Sequence, residues 1–283
     1  MEPKMRTGFI LPNNWGLQDP ALVVEFAVKA EQLGFDSVWV NHHILNVGYI
    51  ADRLGTKPYY DALSTLAWVG ASTTDIKLGT SVLVLPYLHP MVLAKELATI
   101  DQLSKGRLIV GVGVGSLIEE NEVLRAPWKD RGAYSDEALG VMRTLWESPT
   151  SSYDGERFAF AELEVGPQPF QSPLPVWVGG ASRHAISRAA RLGNGWHPMC
   201  SSQQLQRAMP QLVDALEKAG RSRADIVIGP RVDAQDLADA GSVADFELAG
   251  ADQLIVGTST ADPNVIDQEL ERIASLCIDH QRQ

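Results

Sequence analysis

Short runs of β-branched and apolar residues alternate with helix-spaced segments along almost the whole chain, and this alternation restricts the fold more than any other feature. The runs are TGFIL (7–11), DSVWV (36–40), KLGTSVLVL (77–85), RLIVGVGV (107–114), PVWVGG (175–180), NGWHP (194–198), DIVIG (225–229) and DQLIVG (252–257). Most carry apolar residues at consecutive positions, the mark of strands buried on both faces. Between them apolar residues return at helical spacing, as in Val23, Phe26, Ala27, Ala30 and Leu33, or Leu205, Met209, Leu212 and Leu216. Parallel strands need helical crossovers, so eight such units predict an α/β fold, a (β/α)8 TIM barrel. A chain of 283 residues suits one domain of that kind, 1–283.

Helix ends are marked as well. Asp19 reads as an N-cap before Pro20 at the first helical position, Gly34 and Gly193 as stops, and Ser182 as the cap of an Ala-rich helix. One stretch breaks the rhythm. SPTSSYDGERFAFAELEVGPQPFQSPLP (148–175) carries Asp154-Gly155 as a turn and little apolar residue, so it reads as a small hairpin inserted after the fourth βα unit.

Composition narrows the partners. With 35 acidic against 24 basic residues the net charge is −11, which opposes binding to nucleic acid or to anionic lipid. Cys200 and Cys277 are far apart and form no metal or disulfide pattern, which fits a reducing cytoplasm. The start, MEPKMRTGFILPNN, has no secretory signal, Met5 could equally be the first residue, and no later run is long enough to cross a bilayer. A small-molecule substrate is expected.

In a parallel eight-stranded barrel the active site lies at the C-terminal strand ends. Asn41, His42 and His43 follow the second run, Ser81 and Val82 fall in the third, and Gly113 to Ser116 follow the fourth. Gly179 to Arg183, then Trp196 and His197, then Arg231, then Gly257 to Thr260 mark the remaining ends. VWVGGASRHAISRAARLGNGW (176–196) sets two glycines and Ser182 at a helix start, where free amides and the helix dipole favour an anion. The same residues also suit an ordinary βα turn with a serine cap. GVGVGS (111–116) lacks the dinucleotide spacing; it either brings backbone against a cofactor or relieves crowding at the rim. GTSTADP (257–263) is a rival anion site or a helix start. Adjacent His42 and His43 point to opposite faces, so no metal centre is expected. Asp61, Glu119 and Glu120 are acids, bases or solvated bystanders. Trp15, Trp39, Trp196 and His197 either shape a substrate pocket or belong to the core.

FDSVWVNHH, LGTSVLVLPYLHPMVLAKELATIDQLSKGRLIVGVGVG and PLPVWVGGASRHAISRAARLGNGW resemble, in order and spacing, the luciferase-like monooxygenase superfamily, especially its branch using the deazaflavin coenzyme F420. The likeness runs from Thr7 to about Trp196, with the family's hairpin matched around YDGERFAF. It implies a TIM barrel, which agrees with the count of units, and family members often dimerise. It implies that His42 bonds the reacting region and can donate a proton, with Asn41 supporting it or touching the cofactor. It implies a cis peptide at Ser81-Val82 behind the ring, contacts from Gly115 and Ser116 near the cofactor tail, and a phosphate cradle at Gly179, Gly180 and Ser182. Two positions depart. Asn41 stands where aspartate is common, and Ser116 stands where the family's sugar-phosphate dehydrogenases carry a catalytic glutamate, which argues against glucose-6-phosphate oxidation. The expectation is hydride transfer with F420; an FMN-dependent monooxygenase and a non-catalytic flavin- or phosphate-binding barrel are the alternatives.

Overall fold

The computed structural model describes residues 5–278, so the first four and last five residues of the expected domain lie outside the described residues. In chain order the first elements are β1 (Arg6–Ile10), α1 (Ala21–Leu33), β2 (Ser37–Val40), α2 (Tyr49–Leu54), α3 (Ala62–Ser72), β3 (Lys77–Thr80), β4 (Leu83–Val84) and α4 (Pro90–Leu103). Then come β5 (Leu108–Gly113), α5 (Ile118–Leu124), α6 (Arg131–Glu147), β6 (Thr150–Asp154), β7 (Ala159–Glu164), β8 (Val176–Gly179) and α7 (Arg183–Leu192). The last are β9 (Gly195–His197), α8 (Ser202–Lys218), β10 (Val227–Ile228), β11 (Arg231–Asp233), α9 (Ala240–Leu248), β12 (Gln253–Gly257) and α10 (Pro263–Cys277).

The main sheet is parallel and curled, in the order β10-β9-β8-β5-β3-β2-β1-β12-β11, with β4 also on β5. Its two ends belong to one stretch of chain. Gly229 N–H bonds Trp196 O at 2.9 Å on one side, while Pro230 O accepts Ile255 N–H at 3.0 Å on the other. Proline has no N–H to give the ladder, which is why β10 and β11 are two short strands where the sequence suggested one. The third run divides too, into β3 and β4, at a cis peptide between Ser81 and Val82.

Inside the curl sit Ile10, Trp39, Ile109, Trp177 and Ile255. The two indoles lie 5.1 Å apart between ring centres. They fit because facing strands carry glycine: a Cβ on Gly79 would stand 2.2 Å from the Trp39 ring, and one on Gly195 would stand 2.4 Å from that of Trp177. The larger core lies between strands and helices, where Phe9, Val38, Leu78, Val110, Val176 and Leu254 meet the apolar helix faces.

Helix α1 corrects one expectation. Pro20 is itself the cap position, and Asp19 Oδ1 accepts Ala21 N–H at 2.9 Å; Gly34 ends the helix at φ 88. The β6 and β7 strands pair antiparallel, and Glu137 of α6 holds their connecting loop by accepting the N–H groups of Arg157 and Phe158 at 2.6 and 3.0 Å. No helix among the described residues is long and apolar enough to cross a membrane.

Candidate functional site

The segment from Thr80 to Val84 runs directly against β5, and the alternate glycines of β5 make way for it. A Cβ on Gly111 would stand 1.8 Å from Thr80 O, one on Gly113 2.7 Å from Val82 Cγ2, and one on Gly115 2.9 Å from Val84 Cγ1. The period-two glycines therefore answer a period-two row of neighbours. Of the two readings open for this run, relief of crowding accounts for Gly111 and Gly113. The Val82 side chain also faces Gly179, whose Cβ would approach its Cγ1 to 2.9 Å. Ser116, one residue beyond Gly115, is exposed.

Around this bulge the curled sheet gathers polar groups from distant parts of the chain. Asn13 pins the end of β2: its Oδ1 accepts Asn41 N–H and its Nδ2 donates to Asn41 O, both at 2.9 Å. Asn41 Oδ1 accepts from Arg231 Nη1 at 2.6 Å, while its Nδ2 is buried with no partner among the described residues. Arg231 Nη1 also reaches Ser81 O at 3.2 Å and Ser81 Oγ at 3.3 Å. Ser81 Oγ lies 2.9 Å from His197 Nε2, and His197 Nδ1 donates to Gly229 O at 2.5 Å, which assigns the tautomer. His197 is only 3% exposed, stacked on Trp39, and burial depresses it to about 4.

His42, 4% exposed, turns Nδ1 toward the bulge, where it accepts Val84 N–H at 3.2 Å. A neutral ring that accepts at Nδ1 carries its proton on Nε2. Burial depresses His42 to about 4, so near neutrality it is a fixed hydrogen-bond donor. His43 faces elsewhere. Its Nδ1 lies 2.5 Å from Glu120 Oε2 and its Nε2 3.2 Å from the Tyr49 hydroxyl, so the two histidines have separate partners. Glu120 is no bystander: its side chain is 0% exposed, and its second oxygen accepts the N–H groups of Ile44 and Leu45 at 2.6 and 3.0 Å. Burial alone would raise its carboxyl, but the His43 imidazole and these amides hold it below the usual carboxylate range. Asp61 instead caps α3, accepting Ser64 N–H at 2.8 Å.

At the fifth strand end Gly180 has φ +97, a conformation that favours glycine. Ser182 caps α7 by accepting Ala185 N–H at 3.2 Å, and the amides of Arg183 and His184 in that first turn have no intrahelical acceptor. The rival GTSTADP stretch is a helix start, with Pro263 in the first turn and the Asp262 carboxylate accepting Asn264 N–H at 2.9 Å. That carboxylate already supplies the negative charge the helix end favours. A cavity of about 750 Å³ reaches Arg231 and is lined also by Trp15, Met199 and Thr258. Thr258 Oγ1 is buried there without a partner among the described residues. A second hollow of about 360 Å³ shares Met199 and Cys200 with it and extends to Ala181, the residue between Gly180 and Ser182. Trp39 and Trp196 are fully buried. The sequence reading missed the role of Arg231 as the bridge between Asn41 and Ser81; only its position past the seventh strand hinted at it.

Residues 5–264 match the family model described as luciferase-like monooxygenase. An F420-dependent glucose-6-phosphate dehydrogenase of Kineococcus radiotolerans is 33% identical over 216 residues, covering 73% of this chain and 61% of that protein. The chain thus spans less than two thirds of that relative's length. Among solved structures, an F420-dependent secondary alcohol dehydrogenase in complex with an F420-acetone adduct superposes with a TM-score of 0.82 at 18% identity, covering 96% of this chain and 98% of that one. A long-chain alkane monooxygenase superposes with a TM-score of 0.83 at 15% identity, covering 100% and 92%. At such identities the structural likeness is one of fold.

Proposed function

The chain belongs to the luciferase-like monooxygenase family, and from that premise we propose that it is an oxidoreductase moving a hydride between the deazaflavin coenzyme F420 and a small organic substrate. The observation that carries the reading is the buried donor Asn41 Nδ2, without a partner among the described residues, on a side chain that shares Arg231 with Ser81 of the cis bulge, in a mouth that also holds the His42 Nε2 donor. A buried donor without an acceptor is destabilising by roughly 1–3 kcal/mol, and the carbonyl-rich edge of a flat ring relieves it.

The residues fit such a group. Ser81 and Val82 form a wall to back a planar ring, Asn41 offers its amide, and Gly179, Gly180, Ser182 and the free amides of α7 suit an anionic tail, with Gly115 and Ser116 beside it. When bound, the deazaflavin supplies the carbon centre that takes or gives the hydride; the protein supplies position and electrostatics. His42, neutral and tethered to Val84, directs Nε2–H at an oxygen or ring atom of the reacting region. Arg231 holds Asn41 and Ser81 in register.

We read the curled sheet as a complete eight-stranded barrel and the β6–β7 pair as an insertion in it, supported by the bonds of residues 228–231 to both β9 and β12. A homodimer belongs to this reading. So does a cytoplasmic enzyme, which suits two free thiols, Cys200 and Cys277, each pushed up to about 11 by burial.

Titrating the apoprotein with F420 and with FMN, each followed by fluorescence quenching, tests the assignment. F420 is expected to bind at least about tenfold more tightly, on the order of 1.4 kcal/mol. Tight FMN binding without an F420 response would move the chain to the FMN-dependent monooxygenase reading.

A further inference from the structure

We propose that Glu120, His43 and Tyr49 form a proton relay that takes the hydroxyl proton of an alcohol substrate, or returns it to the matching carbonyl, at the mouth of the site. The proposal rests on the hydride-transfer reading and names its substrate class.

Removing a hydride from a carbinol carbon gives a carbonyl only if the hydroxyl proton also departs. His42 cannot receive it: Nδ1 is taken by Val84 N–H and Nε2 carries its own proton. His197 is closed as well, with Nδ1–H on Gly229 O and Nε2 facing Ser81 Oγ. Of the histidines around the mouth, His43 alone has a carboxylate on one nitrogen and a hydroxyl on the other. Glu120 Oε2 is 2.5 Å from Nδ1, and Tyr49 Oη is 3.2 Å from Nε2.

The chain of contacts has a fixed end and an open end. Glu120 is sealed in and tied through its other oxygen to Ile44 and Leu45, so its charge is held against one point of the ring. A carboxylate accepting Nδ1–H fixes that tautomer and leaves Nε2 to accept. The ring is set on edge between Tyr49 and Tyr59, at 6.1 and 5.9 Å between ring centres. Tyr49 follows directly in α2 and is 52% exposed, so its hydroxyl is the outlet.

The neighbouring charges suit a neutral phenol there. Burial raises the Tyr49 hydroxyl above its ordinary range, Arg53 and Arg231 oppose that, and Glu120 adds to it. Tyr59 and Tyr87, close to Glu120, are pushed up by burial and remain phenols, while His42 remains neutral.

The step balances without a further reagent. As the carbinol C–H breaks and its electron pair leaves as hydride to the coenzyme, the substrate O–H breaks and its proton joins the Tyr49 oxygen. The Tyr49 proton moves to His43 Nε2, the C=O bond forms, and the imidazolium stays paired with Glu120. Carbonyl reduction runs the same transfers backwards.

The test loads the full chain with F420 and follows its reduction by a panel of primary and secondary alcohols, and the oxidation of its reduced form by the matching aldehydes and ketones. Tyr49→Phe is expected to lower kcat about a hundredfold, within the usual span for general acid–base groups, and to remove the acidic limb of the pH–rate profile in alcohol oxidation. F420 affinity should stay within about threefold, because the coenzyme makes no bond to the relay in this reading. Proton NMR supplies a readout on the unloaded protein: a far-downfield imidazole N–H signal present in the parent and in Tyr49→Phe, and lost in Glu120→Gln. Should Glu120→Gln not fold, Tyr49→Phe, at an exposed position, still decides. Unchanged kcat and pH profile in Tyr49→Phe overturns the relay, and so does F420 binding with no turnover of any alcohol or carbonyl. Absence of F420 binding would instead strike the hydride-transfer reading itself.

Discussion

Between pH 7 and pH 5 the folded chain is expected to lose about 3 to 4 kcal/mol of stability through two buried histidines. His42 and His197 are both depressed from 6.5 to about 4, first of all by burial. The unfolded chain takes up a proton at each as the pH falls below 6.5, while the folded chain takes none until about 4. Stability therefore falls with pH across that window, at up to about 1.4 kcal/mol per pH unit for each ring, and levels off below it. Ordinary carboxylates stay largely ionised at pH 5, so the histidines dominate this range. Urea midpoints at the two pH values measure the loss. His197→Gln, which keeps a donor and an acceptor for Gly229 and Ser81, should remove about half of the pH dependence, since one of the two titrating rings is gone. A midpoint that does not move between pH 7 and 5 would show that these rings are not held neutral.

Replacing His42 with alanine is expected to lower kcat by about 10²–10³, equivalent to about 2.7–4 kcal/mol, the range for removing a preorganised donor at a reacting oxygen. F420 affinity should change by no more than a few-fold, because the proposed phosphate contacts around Ser182 are untouched. The reason is the tether: Val84 N–H fixes the ring and its tautomer, so no reorganisation is needed when charge develops opposite Nε2. A rate that falls between pH 7 and 5 should not originate at His42, which protonates only near 4. Stopped-flow absorbance traces follow the coenzyme directly. Turnover equal to that of the parent chain removes His42 from the chemistry.

Much of the fold is legible in the residue pattern, because strands buried on both faces leave continuous apolar runs that few other structures produce. The breaks within the third and seventh runs are less so. Pro230 is the local signal for the second of these breaks, and for the division at Ser81-Val82 the family resemblance is the sole pointer in the sequence. At the site, the strand-end rule points to Asn41, His42 and Ser81, and the structure brings Asn41 and Ser81 together on Arg231 and sets His42 against Val84. The rule could not show that Arg231 bonds Asn41, since 190 residues separate them and only the curling of the sheet across β2, β1, β12 and β11 brings them together. Glu119 and Glu120 are indistinguishable in the sequence. One turns to solvent and the other inward solely because of the way α5 faces, and that rotation is set by tertiary packing. The aromatic residues at strand ends were ambiguous for a related reason: Trp39 fills the interior because glycines on the next strands leave it room.

Diffraction from crystals of the chain soaked with F420 bears most directly on where the coenzyme sits. The expected density places the phosphate of the tail on the amides of Arg183 and His184 and the ring against Ser81-Val82, with His42 Nε2 turned to it. A well-ordered F420 lodged anywhere else, with those amides bound only to water, would contradict it.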